Sequence, residues 1–277
     1  MNNLYRPIII SFTAIPPRYP NLKRKITSLL NQTIKPTAIE IYIPNSYRRF
    51  PTAGTLIPDL PKEVRIVHVE DDFGPATKLL PALDKWRGQD VDILICDDDR
   101  IQDPGWIARF AKTRIARPHD IICERGWNIE ERFGIKQLQL LTPRAKHSNN
   151  GGRSISYRLK RALSLGLLHP KRSVFESSGY IDIFEGFLGA LIPPEALPQQ
   201  AWDIPDILWT VDDVWLSGMA KLNGIGIWAH NFPRPVSSNG KWDKVDSLTD
   251  WIEDGVDRQN ADRICVEYMR KNHKVWL

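Results

Sequence analysis

The stretch Ile93-Leu94-Ile95-Cys96-Asp97-Asp98-Asp99-Arg100 decides how this chain is read. Four apolar residues in a row, preceded by Val91-Asp92, read as a strand buried on both faces. Such runs belong to parallel sheets with helices packed over them. Three carboxylates then arrive together where the strand ends. Crowded like charges repel, and none of the three can be buried without a partner. A cation is expected beside them, and a hard divalent ion with oxygen ligands is the simplest one. The carboxyl ends of strands are also where open α/β sheets bind ligands. The alternative is a polar strand end facing water.

Upstream, Pro7 to Thr13 (PIIISFT) is a short β-rich run and the expected first strand. The prolines of Ala14-Ile15-Pro16-Pro17-Arg18-Tyr19-Pro20 then forbid regular pairing. Asn21 is placed to cap a helix whose stripe is Leu22, Ile26, Leu29 and Leu30. Ala38–Pro44 and Val64–Val69 are β-branched and read as the second and third strands. Strand, helix, strand at this spacing makes a right-handed βαβ unit. The fold class is therefore α/β with a mainly parallel sheet.

The third strand runs into Glu70-Asp71-Asp72-Phe73-Gly74-Pro75-Ala76-Thr77-Lys78. Gly74-Pro75 forces a turn, and Leu79, Leu80 and Leu83 start a helix leading to Trp86. A phosphate at that helix start would meet free N–H groups and the point charge of Lys78. A capped helix with a solvated lysine is the competing reading.

Composition sets the class. The chain has 277 residues, 42% of them hydrophobic, enough for a sizeable α/β core. Cys96, Cys123 and Cys265 are odd in number and far apart. That spacing argues against a disulfide framework and against a zinc site, and for a reducing compartment. The first apolar run is too late and too brief for a signal peptide, and no run approaches a spanning helix. A soluble, cytoplasmic protein is expected.

In order, SFTAIPPR, EDDFGPATKL and ILICDDDR resemble the nucleotide-sugar half of a GT-A glycosyltransferase, similar to family 2. The resemblance covers roughly residues 6 to 110 and implies a Rossmann-like GT-A fold. It implies that Thr13, Arg18, Asp71 or Asp72, Lys78, Asp97 and Asp98 approach the nucleotide sugar, and that Asp97 and Asp99 form a D-x-D motif on Mn²⁺ or Mg²⁺. The donor so implied is a nucleoside-diphosphate sugar, most plausibly a UDP-sugar, and the acceptor a glycan or lipid-linked hydroxyl. One GT-A domain over 1–277 is expected, with a nucleotide-sugar half at 6–110, an acceptor half at 111–240 and a C-terminal helical extension at 241–277.

Three later segments bear on the acceptor side. Tyr180 to Pro194 holds Gly186, Phe187 and Gly189, and in GT-A relatives a Gly-aromatic segment here lines the acceptor and sugar pocket. A plain buried strand with a bulge is the alternative. Trp209 to Leu216 opens a helix that runs to Leu222 and stops at Asn223-Gly224. Its Asp212-Asp213 suits a helix's first turn by charge alone. The segment also resembles the acidic pair of family 2, here Asp-Asp where Glu-Asp is more usual, and the resemblance makes Asp213 the base. His230 follows the strand Ile225–Trp228 and is either a third metal ligand, as in some metal-dependent relatives, or structural. Residues 124 to 143 have no secure placement, and a closing helix is expected over 260–271.

The segment 144–172 is unlike the rest. It carries eight Lys or Arg residues and no acid, so without them the formal net charge of +5 would become −3. Ile155, Leu159, Leu163 and Leu167 recur with helical spacing beside Arg158 and Arg161. A solvated basic helix, an interfacial helix on anionic lipid and a flap over a diphosphate donor all fit this pattern. Nucleic acid is not expected, since Tyr157 is the segment's only aromatic residue.

Two other classes compete. The string ILICDDDRI also fits a haloacid-dehalogenase-type phosphohydrolase with Asp97 as nucleophile, although that motif normally opens its domain. A non-catalytic sugar-binding module needs fewer carboxylate clusters than this chain carries. A nucleotidyltransferase would want a glycine-rich loop where this chain has prolines.

Overall fold

The computed structural model describes residues 5–51, 59–148, 159, 161–164, 173–233, 245–246 and 258–277. Most of the basic segment lies outside these, as do Trp242, Trp251 and Ile252.

Among the described residues, twelve strands form in chain order: β1 (Ile8–Thr13), β2 (Ala38–Pro44), β3 (Val64–Val69), β4 (Asp92–Ile95), β5 (Ile121–Cys123), β6 (Gly126–Trp127), β7 (Lys146–His147), β8 (Phe175–Ser177), β9 (Gly179–Ile181), β10 (Ile183–Phe184), β11 (Ala190–Ile192) and β12 (Ile227–Ala229). Eight of them make the central sheet in the order β3-β2-β1-β4-β11-β5-β12-β9. Pairing is parallel from β3 through β4 and between β5 and β12. β11 runs antiparallel to both of its neighbours, and β9 antiparallel to β12. The helices are α1 (Leu22–Leu30), α2 (Leu80–Trp86), α3 (Trp106–Ala116), α4 (Ile129–Phe133), α5 (Asp212–Leu222) and α6 (Arg258–Tyr268). The sheet is mostly parallel with flanking helices, an α/β fold of the GT-A kind.

The apolar run of β4 explains why this strand is central. Ile93 and Ile95 enter the core shared with α2 and α5, while Leu94 and Cys96 enter the one shared with α1 and α3. The side-chain alternation of a strand therefore buries both faces, and each such side chain contributes about 1.5–3 kcal/mol. β3 is different: as the edge strand it exposes Arg65, Ile66 and His68. All three cysteines are free and buried.

Several local expectations change. Asn21 ends a 3₁₀ turn (Pro16–Asn21) and makes no side-chain cap; its Nδ2 instead donates to the Asp98 carbonyl at 3.1 Å. Gly74–Lys78 is a 3₁₀ turn, so the α-helix begins two residues beyond Lys78. Gly74 adopts φ +58°, where glycine carries no steric cost. The stretch from Tyr180 is not one strand. Gly189 at φ +117° breaks it before β11, and Trp106 fills the space where a Cβ would stand at 2.8 Å. Residues 124–143, unplaced from sequence, supply β6, which pairs with β10, and α4. The closing helix is α6, extended by a π-helical segment at Met269–His273. Among the described residues, no helix is long and apolar enough to cross a membrane.

Candidate active site

The strand order reverses at β1 and β4, and in such sheets ligands bind in the crevice outside the strands' carboxyl ends. A cleft of about 340 Å³ lies there. Thr13 ends β1, Asp72 to Lys78 follow β3, Asp97 to Asp99 follow β4, Phe187 precedes β11, and Asp212 and Asp213 open α5; these elements all reach the cleft lining.

The three consecutive aspartates share two cations, Lys78 and Arg18. Asp97 Oδ1 accepts from Lys78 Nζ at 2.9 Å. Asp98 Oδ1 meets Arg18 Nη1 at 2.8 Å, and its Oδ2 accepts the Ile15 N–H at 3.3 Å. Asp99 Oδ2 lies 3.1 Å from the same Arg18 nitrogen. Side chains thus supply cations where the sequence demanded one. They do not finish the task. Asp99 Oδ1 is buried and accepts no hydrogen bond among the described residues, with Arg100 Nε 3.7 Å away.

The titration of these groups follows their surroundings. Burial, then the Asp97 and Asp98 charges, push the Asp99 carboxyl up to about 7. Burial also raises Asp98, which Arg18 only partly offsets. Burial works the same way on Asp97, but the Lys78 ammonium outweighs it and holds that carboxyl below its ordinary range. For Lys78 burial favours the neutral amine, and Asp212, Asp97 and Asp213 together overcome it.

Lys78 is therefore not a free point charge. Its Nζ is wedged between Asp97 and Asp212, whose Oδ2 is 3.0 Å away. Asp212 is buried with it, whereas Asp213 is half-buried beside the cleft. Asp213 Oδ1 accepts the Gly186 N–H at 3.0 Å.

The structure brings together Thr13, Arg18, Asp72, Lys78, Asp97, Asp98, Asp99, Phe187, Asp212 and Asp213. Three expected residues do not line this cleft. Asp71 is exposed, while Asp72 receives the Arg48 and Gly74 N–H groups at 2.7 and 2.8 Å. Gly186 supports Asp213 from behind the lining. His230, the proposed third metal ligand, is buried elsewhere, its Nδ1 on Thr113 Oγ1 at 3.0 Å and its Nε2 on Glu124 Oε1 at 3.2 Å. Both ring nitrogens are engaged, so the structural alternative for this histidine is the one the geometry follows.

Sequence reading missed Tyr47, Arg49, Phe50, Arg100, Glu185, Trp209 and Asp246 in the lining. Trp209 had a signal, an aromatic just before the acidic pair; its Nε1 donates to the Asp72 carbonyl at 2.9 Å. Asp246 had none. It arrives from the far end of the chain, where its carbonyl accepts from Arg49 Nη2 at 3.1 Å, and the Val245 carbonyl accepts from Arg18 Nε at 2.8 Å.

A family model described as glycosyl transferase family 2 matches residues 8–180, more than half of the chain. The chain belongs to glycosyl transferase family 2. No curated protein matches it. Family 2 membership makes this chain a glycosyltransferase, acting in general on a nucleotide-sugar donor and an acceptor, and sets aside the phosphohydrolase and sugar-binding-module alternatives. The match includes β1 through the acidic run after β4 but ends before α5, so Asp212 and Asp213 are joined to the family's region by the fold alone.

Family 2 enzymes generally use a divalent metal ion. Among the described residues, no three His, Cys, Asp or Glu side chains converge as a metal cage. Two carboxylates, Asp97 and Asp99, are nevertheless available in the cleft, one with a buried oxygen unsatisfied. One or two carboxylates completed by phosphate oxygens is how Mg²⁺ is commonly held. The residues present fit such an ion.

Proposed function

We propose that this chain transfers a sugar from a nucleoside-diphosphate sugar, in the simplest case a UDP-sugar, to an acceptor hydroxyl, with inversion at the anomeric carbon. The observation that carries this reading is that the acidic run after β4 and the acidic start of α5 line one cleft. Among the described residues that lining has eight carboxylates against four Lys or Arg side chains, a balance that favours added positive charge when a diphosphate enters. Asp97 and Asp99 would hold Mn²⁺ or Mg²⁺, which when bound offsets charge on the leaving diphosphate. Thr13, Asp72, Arg18 and Asp98, all in the lining, are the side chains offered to the nucleoside. Phe187, with Arg100 and Arg125 over its ring at 5.1 and 5.3 Å, lines the acceptor side. Asp213, held by the Gly186 N–H, takes the acceptor hydroxyl proton as the hydroxyl attacks.

The acceptor is read as a glycan or lipid-linked hydroxyl, and the acid-free segment 144–172 as a contact for an anionic membrane at the cytoplasmic face. In its described part, Leu159 and Leu163 are exposed, a turn apart, with Arg161 between them. Basic and apolar residues together are what such a surface attracts.

The direct test is a thermal-shift series of nucleoside diphosphates with and without Mn²⁺. A ligand at 100 times its dissociation constant stabilises by about 2.7 kcal/mol. UDP should shift the midpoint more with Mn²⁺ than with EDTA. No shift from any nucleoside diphosphate under either condition overturns the reading.

A further inference from the structure

Lys78 holds two carboxylates that serve different halves of the proposed reaction. Its Nζ is 2.9 Å from Asp97 Oδ1 at the end of β4 and 3.0 Å from Asp212 Oδ2 at the start of α5. The side chains of Lys78 and Asp212 are only 4% and 3% exposed, so neither can turn to water for another partner. Asp97 is 32% exposed on its cleft side, the side from which a cation would approach. Ser11 Oγ donates to the Lys78 backbone carbonyl at 2.5 Å, and a Cβ added at Gly186 would stand 3.4 Å from both Lys78 Cε and Asp213 Oδ1, so the two side chains flank the same glycine.

We propose that Lys78 is a positioning residue that couples cation occupancy of Asp97 to the setting of α5, and through α5 to Asp213. The inference rests on the reading of Asp97 as a metal ligand. One ammonium is shared between two carboxylates, and a divalent cation competes for one of them. As Asp97 turns to the cation, Lys78 gives its charge to Asp212, drawing the first turn of α5 toward it. Asp213 is the next residue of that turn and is tied to Gly186 on its other side. Coupling of this kind is reciprocal: if a cation on Asp97 shifts the setting of α5, that setting shifts the cation's affinity by the same factor.

Reciprocity gives the test its sign. Without the Asp212 charge, Lys78 belongs wholly to Asp97 and competes harder with the cation. Without the Lys78 ammonium, Asp97 is left to the cation alone. The experiment is calorimetric titration of UDP in Mn²⁺ and in EDTA, for the full chain and for Asp212→Asn, Lys78→Met and Lys78→Arg. The Mn²⁺ enhancement of UDP affinity should fall at least about 5-fold in Asp212→Asn, the lower end of typical couplings. It should rise in Lys78→Met while the transfer rate falls, two changes of opposite sign that plain loss of structure does not produce. Lys78→Arg should keep the enhancement near that of the wild type. Circular dichroism checks folding, and if Lys78→Met does not fold, Asp212→Asn decides. A wild type with no Mn²⁺ enhancement overturns the metal reading and this coupling with it. A wild-type enhancement that Asp212→Asn leaves unchanged overturns the coupling alone.

Discussion

The backbone N–H of Gly186 donates to Asp213 Oδ1 over 3.0 Å, joining the turn before β11 to the first turn of α5. The bond fixes one oxygen of a carboxylate that lines the cleft. Adjacent helical residues point about 100° apart, which is why Asp212 goes inward to Lys78 while Asp213 faces the cleft. Asp213→Asn keeps the shape but cannot accept a proton. Transfer should slow by ~10²–10⁴-fold, with the dissociation constant for UDP in EDTA almost unchanged. Single-turnover rates beside UDP titrations measure both, and near-normal transfer by this variant would remove Asp213 from the role.

The acidic run after β4 predicts a different phenotype. In the Asp97→Asn, Asp99→Asn double variant, the two carboxylates assigned to the ion are gone while Asp98 still pairs with Arg18 at 2.8 Å. The fold should survive, since both lost charges are in the cleft rather than in the apolar core. UDP binding should then be the same in Mn²⁺ and in EDTA. Tighter binding in Mn²⁺ by the double variant would place the ion elsewhere.

Much of this was legible because local chemistry and fold agreed. The run Ile93–Cys96 named its own burial on two faces, β2 and β3 begin and end where their patterns do, and α5 ends at Leu222 as expected but starts at Asp212 rather than at Trp209. Asp97, Asp99 and Asp213 were expected at element ends, and all three line the cleft. Partners made at long range were not legible. Lys78 is 134 residues from Asp212, and nothing in EDDFGPATKL says that its amine turns inward rather than toward a phosphate. His230 looked free for a metal because Thr113 and Glu124 reach it from distant parts of the chain. β11 escaped because Gly189 breaks the strand pattern for the sake of Trp106, a packing demand from another element.

The acid-free segment yields a salt-dependent prediction. On vesicles with an anionic phospholipid, each contributing Lys or Arg adds about 1 kcal/mol, and the attraction fades as salt shortens the Debye length. Cosedimentation at low salt should capture the protein, and several hundred millimolar salt should release it (roughly the range where that length nears 3–5 Å). Reversal of Arg158, Lys160 and Arg161 to glutamate should abolish capture, with neutral vesicles as the control. Wild-type protein that ignores anionic vesicles, or a triple variant that still binds them, leaves the solvated helix or the donor flap.

Glu40 predicts how stability responds to acid. Its carboxylate is fully buried in β2, accepting from Lys85 Nζ at 2.5 Å, Tyr42 Oη at 2.8 Å and Trp86 Nε1 at 3.0 Å. Burial alone would push this carboxyl up, but the Lys85, Trp86 and Tyr42 hydrogen bonds outweigh it and hold it below its ordinary value. A carboxyl depressed in the folded state stabilises the fold above its unfolded pKa, about 4.3, and loses that contribution as pH falls through the folded value. Glu40→Gln should therefore be less stable than the wild type at neutral pH, by about 1–3 kcal/mol for lost charge-assisted hydrogen bonds. The deficit should hold steady down to about pH 5 and shrink below it, because only the wild type takes up the extra proton on unfolding. Urea midpoints of both proteins from pH 7 to pH 3 give the comparison, with Lys85→Met as a second probe of the same cluster. A deficit that does not change between pH 7 and pH 3 would mean that the Glu40 carboxyl does not titrate with unfolding, and that its worth lies in packing alone.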